Sequence, residues 1–394
     1  MILFENRKDC CGCGACANIC PNNAISMKED EYGFIFPVID EKICINCHMC
    51  QKVCAFQNID ESNLPLKTWV AVTKNKESLK KSASGGVFFT LAKEFVKENN
   101  CAVGAAFDDA FNLKHIIAED IDTLTKLQGS KYTQSNTEFV YREIKIKLNN
   151  GKKVLFSGCP CQVAGLKAFL GREYENLITI DLICHGVPSN KSFKDYIAVL
   201  QKKNGVQIES FNFRDKRYGW GINGTAFTSD NKNVKALCTS SSYLYYFSHG
   251  LTYRENCYKC KYASKNRPSD ITIGDYWGIE KEHSELLNKK VIDESKGVSV
   301  VIANTQKGID LVERNAELFY LYESTFEKAA RSNAQLNHPI ECDPKREDII
   351  ELYKISGWNA VEERFNKNIG IKKYSSQIKS LFPTSIKRFL KRLK

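Results

Sequence analysis

A small α+β module, a larger α/β domain in two lobes and a helical, basic C-terminal segment are predicted from three features of this 394-residue chain. Two four-cysteine runs with the same internal spacing stand within the first 54 residues. β-branched and aromatic runs then alternate with amphipathic stretches. Beyond about residue 346 the pattern is all helical and ends in lysines and arginines. These features divide the chain into 1–60, 67–150, 151–345 and 346–394, with the polar stretch NIDESNLPL as the first linker.

The first module follows from its cysteines. CINCHMCQKVC sets Cys44, Cys47, Cys50 and Cys54 at intervals of three, three and four, and Cys10, Cys13, Cys16 and Cys20 repeat those intervals 34 residues earlier. The same shift carries Cys11 onto Ile45, so Cys11 is the spare. C-x2-C-x2-C-x3-C, followed in the first copy by Pro21, is the bacterial two-cluster ferredoxin run, whose fourth cysteine serves the other cluster. Cys10, Cys13, Cys16 and Cys54 are therefore expected to hold one [4Fe-4S] cluster, and Cys44, Cys47, Cys50 and Cys20 a second. Gly12 and Gly14 permit the positive φ that turns N–H groups toward sulfur. The second copy has Asn46 and His48 there, residue types that also enter the left-handed region, and Ala55 in place of proline. Structural zinc prefers two well-separated C-x2-C knuckles and fits these runs less well. Between the runs, residues 22–42 read as strand, Gly33 turn and strand, which completes a ferredoxin-like fold with the clusters as folding staples.

An apolar content of 43% supports ordinary globular cores. Seventeen cysteines in a chain whose start, MILFENRKDC, has no apolar signal core point to the reducing cytoplasm. No apolar run approaches the roughly 18–20 residues of a membrane span. Of the formal charge of +11, eight Lys or Arg and no acid fall in residues 371–394, so a nucleic-acid partner is not expected. In that tail Ile378, Leu381, Phe382, Ile386, Phe389, Leu390 and Leu393 interleave with the basic residues, interrupted by Pro383. A helix lying on an anionic inner membrane face and a docking segment for a partner protein read equally well.

In the larger domain TWVAVT, CAVGAAF, LKHIIAE, KKVLFSG, NLITIDLIC and GVSVVIANT are the strands. The helices follow SASGG, run through TEFVYREIKIKL, and cover CQVAGLKAFLG, SFKDYIAVLQKKNG and KGIDLVERN. Such alternation predicts a largely parallel sheet. Cys159 and Cys161 then fall between a strand and a helix, with Pro160 suited to the first helical turn, and Cys184 ends the next strand. Carboxyl ends of neighbouring strands converge on one crevice. Cys161, Cys184, Cys257 and Cys260 can form a third metal site there. Buried filler, a zinc-binding pair at Cys257 and Cys260, and a redox dithiol at Cys159 and Cys161 are the competing readings.

LFSGCPCQVAGL, DLICHGVPS, FRDKRYGW, CYKCKYA, RPSDITIGDYWGI and the Ser84-Gly85-Gly86 turn together resemble the coenzyme F-420 hydrogenase/dehydrogenase beta-subunit family. The resemblance spans about residues 1–340 and is closest to the ferredoxin-fused form seen among bacterial polysaccharide-biosynthesis proteins. It implies a noncovalent FAD beside a third [4Fe-4S] cluster whose ligands match Cys161, Cys184, Cys257 and Cys260. Cys159 replaces the threonine common in the family's G-T-P-C-Q element. For the flavin, Ser84, Gly85 and Gly86 open a helix whose N–H groups suit a pyrophosphate, and Lys131 offers a cation to a phosphate or to the flavin N1 region. His185 and Asp275 are candidates for proton transfer, though a buried polar histidine and a helix-cap carboxylate explain them as well.

The expected function is an iron-sulfur flavoprotein oxidoreductase linking the clusters to FAD, with ferredoxin as electron donor and a small-molecule substrate or deazaflavin-like coenzyme exchanging hydride. The alternatives are an electron-transfer subunit serving a partner enzyme and a zinc-stabilised interaction protein.

Overall fold

Helix Ala15–Ile19 begins directly after Gly14, whose φ of +79° turns the chain into it. The computed structural model describes residues 3–58 and 62–370; the basic stretch 371–394, with its expected membrane or partner contact, lies outside the described residues. After that helix, β1 (Ile25–Glu29) and β2 (Ile35–Ile39) pair antiparallel through a turn at Gly33, with Ile25 opposite Ile39. Helix Met49–Lys52 enters from His48 at φ +59°. Asn46 and His48 thus take the left-handed conformations of Gly12 and Gly14 in the other copy, as their residue types allow.

The main sheet draws on β3 (Lys67–Thr73), β4 (Cys101–Phe107), β5 (Leu113–Ala118), β6 (Val154–Gly158) and β7 (Leu177–Leu182). β8 (Ile208–Asn212), β9 (Asn223–Thr228) and β10 (Val234–Leu237) form a separate antiparallel sheet, and β11 (Ile271–Asp275), β12 (Ser299–Ala303) and β13 (Phe319–Ser324) return to the first. The order of its eight strands is β13-β3-β12-β11-β7-β6-β4-β5. Only β4, β6, β7 and β11 run parallel, and both flanks are antiparallel, so the largely parallel expectation is corrected to a mixed sheet. The reason lies in the connections. A parallel neighbour needs a crossover of a dozen or more residues, and the 108–112 turn between β4 and β5 permits only a hairpin.

The expected division at 150/151 runs through this sheet, because β4 pairs with β6 and β3 with β12. The two ranges share one core, in which Trp69, Leu155, Ile180, Ile271 and Val301 are buried. A second core forms where β8–β10 meet helices Asn190–Asn204, Ser242–Ser248 and Lys345–Ile369. It is aromatic: the Phe193 ring lies 5.0 Å from Phe213 and 5.1 Å from Tyr243. The helical reading beyond 346 holds as far as Ile369, and this part packs inward through Tyr353, Trp358 and Phe365. Among the described residues no helix is long and apolar enough to cross a membrane.

Candidate functional site

The crossed grouping of cysteines appears in the packing. Cys20 shares a cavity of about 20 Å³ with Cys44, Cys47 and Cys50, forming an outer cage. Cys16 lies within electrostatic reach of Cys10 and Cys54, and Cys13 of Cys16, forming an inner cage. Ala24 N–H donates to Cys20 Sγ at 3.2 Å and Gln57 Nε2 to Cys54 Sγ at 3.3 Å, the kind of contact that favours a thiolate.

The inner cage is clamped to the main body. Thr137 Oγ1 donates to Cys13 O at 2.9 Å, and Arg142 reaches the carbonyls of Ala17, Asn18 and Cys20. Gly165, on helix Pro160–Leu170, lets that helix approach so closely that an added Cβ would stand 2.8 Å from Cys13 Sγ. Arg254, only 1% exposed, donates to Cys10 O and Ile35 O, both at 2.9 Å, and its guanidinium lies 3.8 Å from the Phe36 ring centroid. No carboxylate among the described residues pairs with it, and Arg254 Nη2 has no partner. A buried cation among sulfurs complements anionic thiolate cages, since either charge alone would be costly to bury. Burial accordingly pushes the Cys10 thiol up to about 11 and raises Cys16 further.

Next to the inner cage is a chamber of about 40 Å³ whose walls carry six cysteines: Cys11, Cys159, Cys161, Cys184, Cys257 and Cys260. Local sequence explains their convergence. Pro160 starts helix Pro160–Leu170, Cys159 is its N-cap, and Gln162 returns a side-chain bond to Cys159 N–H at 3.0 Å. Cys184 follows β7, where the buried Arg267 binds Asp181 at 2.8 Å and Leu182 O at 2.7 Å. Gly186 has no room for a side chain, since a Cβ would stand 2.3 Å from the Tyr253 ring. Cys257 and Cys260 come from the short 3-10 helix Glu255–Lys259 and its end. Burial pushes Cys260 up to about 11 and raises Cys257 further. Among the described residues no three metal-binding side chains close on one ion. Sulfurs that ligate separate irons of a cube do not need to.

A larger cavity of about 350 Å³ shares a wall with the chamber, made by Ser135, Cys159, Gln162, Cys184, His185 and Gly186. Ser84, Gly86, Lys131, His185 and Asp275 all line it. Gly85 does not; it packs against the sheet, its N–H donating to Ser299 Oγ at 2.9 Å, where a Cβ would stand 2.2 Å from Ala71 O. Gly86, at φ +84°, opens helix Val87–Lys97. Lys131 Nζ donates to Lys126 O at 2.9 Å and Gln128 O at 3.1 Å, and burial lowers its ammonium to about 7.

Both Asp275 oxygens are engaged: Arg214 binds them at 2.7 and 2.9 Å, and Trp220 Nε1 donates at 2.6 Å. That geometry makes Asp275 the anchor of Arg214. His185 stands on the shared wall, where burial lowers its pKa and Asp275 partly opposes the shift. Four further residues belong to this region: Arg214, Trp277 and His115 on the cavity wall, and Lys216, whose Nζ donates to Ser84 O at 2.7 Å. His115 Nε2 faces Ser157 O at 3.2 Å and so carries the proton, which leaves Nδ1 as an unpaired acceptor; burial lowers this histidine to about 4. Arg214, Lys216 and Trp277 lie in FRDKRYGW and IGDYWG, already conspicuous in the sequence, whereas nothing local marks His115 or Arg254.

Comparison with known proteins matches residues 151–328 to the family model for the C-terminal part of the coenzyme F420 hydrogenase/dehydrogenase beta chain, and residues 9–58 to that of the 4Fe-4S dicluster domain. A subunit of the F(420)H(2) dehydrogenase of Methanosarcina mazei is 23% identical over 338 residues, covering 78% of this chain and 88% of that protein. The coenzyme F420-dependent sulfite reductase of Methanocaldococcus jannaschii is 23% identical over 228 residues, which is 53% of this chain and 35% of that protein. A ferredoxin-like protein in the nif region of Rhizobium leguminosarum is 38% identical over 55 residues, 12% of this chain and 78% of that protein. Among solved structures, a chain of the F420-reducing [NiFe] hydrogenase complex from Methanosarcina barkeri has a TM-score of 0.43 at 18% identity, covering 79% of this chain and 95% of its own.

Proposed function

Because the chain belongs to the coenzyme F420 hydrogenase/dehydrogenase beta-subunit family and carries a 4Fe-4S dicluster domain, we propose that it is an iron-sulfur flavoprotein oxidoreductase connecting [4Fe-4S] clusters to FAD. When bound, the clusters supply one-electron transfer and the flavin converts it to hydride exchange with a small molecule. Residues 1–60 act as the ferredoxin-like two-cluster module, with the inner and outer cages as its ligand sets. Residues 67–345 hold a third [4Fe-4S] cluster through Cys161, Cys184, Cys257 and Cys260, together with the flavin. The observation that carries this reading is the shared wall: the cysteine chamber and the large cavity are separated only by residues such as Cys159, Cys184 and His185.

The large cavity has the size and chemistry for the cofactor. Its volume of about 350 Å³ lies in the range of small-molecule sites. The unpaired acceptor His115 Nδ1 and the unpaired donor Arg214 Nε belong to residues on its wall, and a heterocycle with a donor and an acceptor along one edge would satisfy both. Ser84 and Gly86 hold the helix start toward a pyrophosphate, and Lys131 supplies the nearby cation. His185, on the shared wall, is placed to hold or pass a proton; Asp275 fixes Arg214 and so acts as a positioning residue.

A second reading, an electron-transfer subunit that serves a partner enzyme, takes support from the relative described as a dehydrogenase subunit. Anaerobic purification followed by iron, sulfide, zinc and flavin analysis tests both. About twelve irons and one FAD per chain are expected. Eight irons would remove the third cluster, and absence of flavin with full iron would favour the second reading.

A further inference from the structure

Cys11 is the cysteine that the 34-residue repeat leaves without a partner, yet it is only 7% exposed and lines the chamber. Its backbone is held from the main body, since Gln134 Nε2 donates to Cys11 O at 3.4 Å and Arg254 and Thr137 secure the carbonyls of Cys10 and Cys13. Its sulfur is in hydrogen-bond contact with two others, Cys13 of the inner cage and Cys161 of the chamber. The three sit in an apolar setting with Tyr141, Val163 and Leu166, where no water competes for the contact. The equivalent position in the outer copy, Ile45, is 62% exposed and faces no second group of cysteines.

We propose that Cys11 is a thiol bridge between the inner cage and the chamber, donating its S–H to a ligating sulfur and thereby setting the reduction potential of the cluster which that sulfur holds. The inference rests on the reading of both places as cluster sites. Once Cys13 and Cys161 serve as thiolates, neither has a proton to give, and Cys11 is the donor left among the three sulfurs. A hydrogen bond to a ligating sulfur stabilises the reduced, more negative cluster, so it raises the potential. No atom is transferred and no bond is broken. Cys11 is a positioning residue that also occupies the gap between two carriers.

The test compares anaerobic holoprotein with Cys11→Ala, Cys11→Val and Cys11→Ser, reading iron content and midpoint potentials by paramagnetic resonance during redox titration. All four proteins should hold the same iron. In the alanine and valine variants the reduced-to-oxidised ratio of one cluster at a fixed poise should fall about tenfold, equal to about 59 mV for one electron. The serine variant, which restores a donor, should recover most of that shift. Unmoved potentials in both donor-free variants at full iron would overturn the bridge. Loss of one cube's worth of iron from all three would make Cys11 a ligand and overturn it equally. Wild-type protein with only eight irons would instead sink the chamber as a cluster site, a failure that the iron count reports separately.

Discussion

The two copies of the cysteine run share their spacing and their left-handed backbone turns, but they meet different surroundings. Around the inner copy, Gly12 and Gly14 stand against Gln134 and Thr137 so closely that a Cβ would come within 2.6 and 2.4 Å of those side chains. Around the outer copy, Asn46 and His48 occupy the same turns with full side chains, and Cys47, Ile43, Ile45 and Met49 are exposed. Glycine is therefore retained for two reasons at the inner copy, backbone conformation and close approach, and for neither at the outer copy. The inner cage looks into the protein, toward the chamber, and the outer cage looks outward, where an electron donor such as ferredoxin can reach it.

The largest expected effect comes from removing the buried cation on the inner side. Arg254→Met should leave the carbonyls of Cys10 and Ile35 unpaired and destabilise the protein by roughly 2–5 kcal/mol, at about 1–3 kcal/mol for each buried group left unsatisfied. Thermal unfolding of the holoprotein measures it, and the lost iron should come from the inner cage first. A melting temperature equal to wild type would mean that Arg254 does not clamp the two parts together.

A smaller contrast separates the matched turns. Gly14→Ala puts a Cβ 2.4 Å from Thr137 Oγ1 at a φ of +79° and should cost about 2–4 kcal/mol from overpacking and left-handed strain together. His48→Ala, at φ +59° on the outer copy, should cost less than about 1 kcal/mol, because its position already tolerates a side chain. Equal losses in denaturant titration would erase the distinction between the copies. The smallest effect is expected at Ile45→Ser, within about 0.5 kcal/mol of wild type, as for other surface substitutions. A large loss there would show that a partner segment covers the outer face.

Much of this arrangement was legible in the residues. The offset of 34 singled out Cys11 and predicted that Cys20 and Cys54 exchange cages, because periodic spacing is a property of sequence itself. Helix Pro160–Leu170 was readable from Pro160, and β4 and β6 from their β-branched runs. Strand direction was not, since period-two alternation looks the same in both senses and only connection length distinguishes them. The aromatic core was hidden for a related reason: Phe193 and Tyr196 mark an apolar helix face, but their partners Phe213, Tyr243 and Trp358 lie far along the chain. Arg254 was invisible because an arginine ordinarily reads as surface, and its burial depends on carbonyls about 220 to 240 residues away. Asp275 stood out in IGDYWG, but only the fold supplied Arg214 and Trp220 as the partners that occupy its oxygens.

The inward order, from outer cage to inner cage to chamber to flavin cavity, is tested most directly by anaerobic stopped-flow mixing of the holoprotein with reduced ferredoxin. Absorbance at cluster and flavin wavelengths would be followed in wild type and in Cys161→Ser. The expected result is prompt bleaching of both in wild type, and in the variant bleaching of the two module clusters while the flavin stays oxidised. Flavin reduction at the wild-type rate in Cys161→Ser, with the chamber's iron absent, would contradict the account.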